Sequence, residues 1–134
     1  MDIVLLSLLI VLVLIQYNGL TRGSFIQNEV CIGEKFKPRC NQNQKIVIGS
    51  AQYGRKKYGK CLSQGVGPVG CFEDVTGYVD SVCFGKSECS VYAADTHLTA
   101  ANPCSTDYSA YLEVLYECIS GMLHGLFLNE LKIM

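Results

Sequence analysis

Hydrophobic residues run almost unbroken from Ile3 to Ile15, interrupted by Ser7, and then give way to short alternating pieces. The opening run has the length of a signal-peptide core and falls short of the ~20 apolar residues a membrane span needs. Asp2 and the lack of a lysine or arginine ahead of the run are atypical of such a leader. A cleavage after Gly23 puts Thr21 and Gly23 at the small-residue positions. The expected organisation is a signal peptide over 1–23, a domain over 24–118 and a C-terminal extension over 119–134, with an uncleaved anchor as the alternative.

Beyond the leader, "FIQNEVCIGEKFKPRC" reads as two short extended pieces with Pro38 near their end. "QKIVIGSAQYGR" is a strand rich in β-branched residues that ends at Gly54. The glycines and proline of "LSQGVGPVG" make a loop between Cys61 and Cys71. Then the period changes. Val75, Tyr78, Val79 and Val82 fall at i, i+3, i+4 and i+7, which predicts a helix with Asp74 as N-cap and Gly85 as its stop. Gly77 costs that helix about 1 kcal/mol against alanine. "ECSVYAA" offers a short strand and "DTHLTAANPC" a polar connection. In "AYLEVLYEC", Leu112, Val114 and Tyr116 alternate with Tyr111, Glu113 and Leu115, predicting a strand with a partly wet face. In the tail, Leu123, Leu126, Phe127 and Leu131 fit one side of a helix that docks or mediates self-association.

Eight cysteines, at 31, 40, 61, 71, 83, 89, 104 and 118, all follow the leader. An even count in a short exported domain indicates a disulfide framework, with 105 pairings open from sequence alone. Zinc sites favour closer pairs than Cys83 and Cys89, the nearest two. Roughly 110 mature residues make one domain.

Net charge is −1, but eight of the 11 basic residues lie between Lys35 and Lys60, where no acid occurs. That asymmetry suggests a positive face for anionic glycans, sulfated or sialylated, against the alternative of solvated charges scattered over the fold. For catalysis the chain offers little. His97 and His124 are the two histidines, and no nucleophile-elbow or zinc-protease motif occurs. Glu73 with Asp74 reads as a helix cap, and Glu113 with Glu117 as a solvated strand face. The expectation is a binding protein, not an enzyme, with no cofactor, metal or nucleic-acid partner. Sugar sites combine an aromatic face with hydrogen-bonding groups on rigid loops. Tryptophan is absent and there are eight tyrosines, of which Tyr53 sits at a strand end where a side chain can project. A core tyrosine is the alternative.

Four stretches carry a resemblance: "AQYGR" (51–55), "CFGKSECSV" (83–91), "NPC" (102–104) and "YLEVLYEC" (111–118). Together with eight cysteines in family order, they resemble the sea-urchin-egg-lectin (SUEL) type, the rhamnose- or galactose-binding lectin domain, over about 30–118. The resemblance implies an α+β fold: a compact disulfide-rich domain of antiparallel β-strands with one main α-helix and long loops. It implies the pairings Cys31–Cys61, Cys40–Cys118, Cys71–Cys104 and Cys83–Cys89, and calcium-independent binding of L-rhamnose or D-galactose. Candidate sugar contacts are Tyr53, Arg55, Asn102, Asp107 and Tyr108.

The chain departs from the family pattern at three places. Ile32 stands where the family commonly has a glutamate, Asn102 replaces the aspartate of Asp-Pro-Cys, and Ala110 replaces a lysine in a segment one residue longer. A hydrogen bond to a charged group is worth about 1.5–3 kcal/mol, so losing two removes about two to four decades of affinity. The expectation is a secreted calcium-independent lectin whose partners are glycans or glycoproteins, with a divergent site. The alternative is an extracellular protein-interaction module that has lost sugar binding, favoured by Ile32 and Ala110.

Overall fold

The two longest strands of the chain pair with each other at the centre of a sheet. In the computed structural model, which describes residues 2–20 and 24–120 apart from the side chains of 16–20, β3 (Gln44–Arg55) and β6 (Tyr111–Ser120) lie antiparallel over most of their length. Flanked by β1 (Ile26–Cys31) and β4 (Cys71–Asp74), they form a four-stranded antiparallel sheet in the order β1-β6-β3-β4. A second antiparallel pair joins β2 (Lys35–Phe36) to β5 (Val91–Tyr92). The N-terminal apolar segment forms the helix α1 (Ile3–Leu20), whose apolar residues 3–15 are exposed. Among the described residues no helix is long and apolar enough to cross a membrane. The tail, with its expected apolar stripe, lies outside the described residues from 121 onward, as do Thr21 and Gly23.

Register sorts the sheet's two faces. Val30, Leu112, Tyr53 and Glu73 lie side by side across the four strands, and so do Glu29, Glu113, Gln52 and Asp74 one position away. The first row's face carries the core: Ile46, Ile48, Ala51 and Tyr53 meet Leu112, Val114 and Tyr116. A bulge at Gly49 resets the alternation so that Ile48 and Ala51 both point inward. α2 (Thr76–Cys83) covers this face, burying Val79 and Cys83 with Tyr78 and Val82 half-buried, which is the predicted stripe. The N-cap is Val75, which makes no side-chain cap bond, and not the expected Asp74. The Asp74 carboxylate, one residue earlier, still accepts from the Thr76 amide at 2.8 Å, and Gly85 takes φ +76° just past the helix. The Thr76 hydroxyl also accepts from the Ala51 amide at 2.9 Å, fastening the helix start to β3.

Two elements depart from the sequence expectation. The stretch taken as a polar connection contains α3 (Thr96–Ala101), whose Asp95 cap accepts from the His97 amide at 2.8 Å. Leu98 is its one buried residue, so no apolar periodicity announces it. Its His97 ring stacks on Tyr78 of α2 at 4.7 Å. β4 likewise falls where no strand was expected, because three of its four residues are exposed.

All four disulfides join the cysteines that the family resemblance implies, and no described cysteine is free. The fold is a compact disulfide-rich α+β domain.

Candidate functional site

The end of β3 places the five candidate side chains, though not as a projecting strand end would. Tyr53 belongs to the inward row and is 1% exposed. Burial pushes its phenol above the usual tyrosine range. The expectation of a ring projecting from the fold is therefore corrected: the ring is a core ring. Its hydroxyl has no hydrogen-bond partner among the described residues. Gly54 follows at φ +144°, where any Cβ would lie 2.5 Å from the Cys71 carbonyl and 3.2 Å from the Cys104 sulfur. Glycine is needed there because the backbone of β4 at Cys71 and Phe72 stands within 2.8 Å of where a Cβ would lie, with the Cys104 sulfur just beyond.

Arg55 is a second correction. It is fully buried, and protein groups take its guanidinium on every side. Nε donates to the Pro68 carbonyl at 2.8 Å, Nη1 to the Ser109 carbonyl at 2.6 Å, and Nη2 to the Val66 carbonyl. The Tyr108 ring covers its carbon at 5.0 Å. Arg55 is thus a brace between the loops 62–70 and 105–110, not a surface contact. Sequence gave no sign of this, since its partners lie 11 to 54 residues away.

The remaining candidates lie on these braced loops and their surroundings. Asn102 ends α3 and is half-buried, with its side-chain oxygen accepting from the Cys104 amide at 3.0 Å. Asp107 is exposed and accepts from the Ser105 hydroxyl at 3.3 Å. Tyr108 is 40% exposed above Arg55. Ile32 is 47% exposed, whereas Ala110 is buried, so the two do not form one apolar surface patch.

Four of the eight basic residues of the stretch are paired with acids brought from elsewhere. Lys56 and Lys57 fold back over the sheet's other face, reaching the Glu113 carboxylate at 2.7 and 3.4 Å. Glu113, expected on a solvated strand face, is 6% exposed. Lys60 pairs with Glu34 at 3.0 Å and donates to the Glu29 carbonyl, while Glu34 accepts from the Cys31 amide at 3.1 Å. Arg39 pairs with Glu88 at 3.5 Å across an open cleft of about 360 Å³ that Lys37 and Ser90 also line.

Burial alone would push the Glu113 carboxyl up, but the Lys56 and Lys57 ammonium groups outweigh it and hold it below the usual range. Its folded pKa is thus below the unfolded value near 4.5. The stabilisation is fully present above that value and is lost as pH falls through the folded one. Glu113→Gln should therefore show a shallower fall in urea midpoint between about pH 6 and 3 than the parent protein. Parallel curves would contradict this account.

Among the described residues no three His, Cys, Asp or Glu side chains gather as metal ligands. The model of the D-galactoside/L-rhamnose binding SUEL lectin domain matches residues 38–118. The chain belongs to the SUEL lectin family. This is a family of binding modules, and the SUEL domain here has its four disulfides and antiparallel sheet. Among curated relatives, eva-1 homolog C of Homo sapiens and of Pan troglodytes are each 27% identical over 95 residues. The Mus musculus protein is 30% identical over 95 residues. Each match covers 67% of this chain and 21% of the relative, so the chain spans about a fifth of their length.

Proposed function

We propose that the SUEL domain is a secreted, calcium-independent lectin for terminal galactose- or rhamnose-like sugars, bound at a divergent site. The observation that carries this reading is the Tyr53 hydroxyl, without a hydrogen-bond partner among the described residues, at the end of a strand whose neighbouring loops are braced by Arg55. A hydroxyl held on a buried ring is preorganised to donate to or accept from a sugar. Asn102 supports the same reading. Its side-chain oxygen is engaged by Cys104, which leaves the amide NH₂ as a donor where an aspartate would offer acceptors alone. Asp107 and Tyr108 supply an exposed carboxylate and ring at the rim.

In this reading residues 1–23 are a signal peptide, 24–118 the lectin domain and 119–134 an extension through which the protein self-associates. Disulfides in so small a domain fit the oxidising extracellular space. Anionic glycans are a narrower part of the proposal, resting on cations such as Lys37 and Lys45. A second reading, a protein-interaction module, is favoured by the exposed Ile32 alone.

A glycan array on the secreted protein, with and without chelator, is the test. Chelator-resistant binding to galactosides or rhamnosides, weakened at least about tenfold in Asn102→Ala, is the expected outcome. A blank array from correctly crosslinked protein would overturn the lectin reading and favour protein partners.

A further inference from the structure

Two half-exposed tyrosines flank one turn. Residues 65–67 read Gly-Val-Gly, and Gly65 and Gly67 hold φ of +87° and +82°. Tyr58, from the loop after β3, donates its hydroxyl to the Gly67 carbonyl at 3.1 Å. Tyr108, from the loop before β6, lies so close to Gly67 that a Cβ there would stand 2.5 Å from its ring. Arg55 fastens the assembly from below, through the Val66 and Ser109 carbonyls and the underside of the Tyr108 ring. Tyr58 is 39% exposed, Tyr108 40% and Val66 52%.

These anchors prevent the rings from turning inward. Tyr58 spends its hydroxyl on the turn and leaves ring surface to solvent, while Tyr108 is fixed on a buried guanidinium. Around them Ser63, Gln64, Ser105 and Asp107 are exposed polar groups. Aromatic surface bordered by hydrogen-bonding side chains matches a pyranose, with C–H groups on one face and hydroxyls at its edge. A protein partner would ask for a broader apolar area.

We propose that Tyr58 and Tyr108 form an aromatic platform for the second sugar of an oligosaccharide whose terminal residue occupies the Tyr53 and Asn102 site. The inference rests on the lectin reading above and extends it from a terminal sugar to a linkage. Tyr108 is fixed on Arg55, which lies two residues beyond Tyr53 in β3, so the platform is tied to the same strand end as the terminal site. The SUEL domain would then select glycans by how the penultimate residue is joined.

Calorimetric titration of the secreted protein tests this with methyl galactoside and methyl rhamnoside, each beside disaccharides ending in that sugar through different linkages. At least one disaccharide should bind about fivefold more tightly than its methyl glycoside. In Tyr58→Ala, shown to be folded by a parent-like urea midpoint, that ratio should fall toward one, while Tyr58→Phe, which keeps the ring but not its hydroxyl anchor, should retain most of it. If the ratio survives Tyr58→Ala, or no disaccharide exceeds its methyl glycoside, the platform is overturned and the lectin reading stands. If no probe binds the parent protein, both fall together.

Discussion

Arg55→Leu should destabilise the domain by about 3–5 kcal/mol and abolish glycan binding with it. Leucine fills much of the space but offers no donor, so the Val66, Pro68 and Ser109 carbonyls lose their partner at once. A buried group left without its partner costs about 1–3 kcal/mol, and some of this is recovered where a loop lifts and admits water. The loss therefore has a structural signature as well as a magnitude. Loops 62–70 and 105–110 should separate, and limited proteolysis should cut them first. Arg55→Lys is the informative companion. Its single ammonium cannot reach three carbonyls in a planar fork, so it should restore less than half the loss. Chemical unfolding of both variants checks this account, which would fail if Arg55→Leu unfolded at the parent midpoint.

The second large effect concerns the bridges. In the chain-entropy model the stabilisation grows with the span that is closed. Cys40–Cys118 closes a separation of 78 residues and is worth about 4.5 kcal/mol, while Cys83–Cys89 closes 6 and is worth about 2 kcal/mol. The bridges Cys31–Cys61 and Cys71–Cys104, with separations of 30 and 33, fall between. Paired Cys→Ala variants should rank in that order of lost stability by urea unfolding. The Cys83–Cys89 pair is the most demanding member, because Cys83 is buried in the core and its truncation adds a packing loss. A ranking in which Cys40–Cys118 mattered least would count against the entropic account here.

What the sequence made legible follows burial. β3 and β6 announce themselves because both are long and one face of each meets the core, so period 2 survives in the residue order. α2 does the same with period 3.6 through Val75, Tyr78, Val79 and Val82, all turned to the core. β4 and α3 stayed hidden because a short element with one buried residue, or none, has no period to read. Buried charge was the other blind spot. Arg55 and Glu113 look like surface residues until carbonyls and ammonium groups from distant loops arrive to satisfy them. At the candidate site the same limit applied to Tyr53, where spacing alone could not separate a core ring from a projecting one. The disulfide pairing came from family resemblance, since spacing left it open.

The contact of Lys60 with Glu34 has a consequence at the margin of the sheet. β1 is a border strand, and a border strand presents unpaired amides and carbonyls that can recruit a strand from another molecule. Here the Glu29 carbonyl and the Cys31 amide are already taken, by the Lys60 ammonium and the Glu34 carboxylate. The ion pair therefore occupies the positions at which a neighbouring copy would begin to zip on. Sheet growth is blocked at that end by two side chains, which protects a domain rich in β-structure from edge-to-edge aggregation.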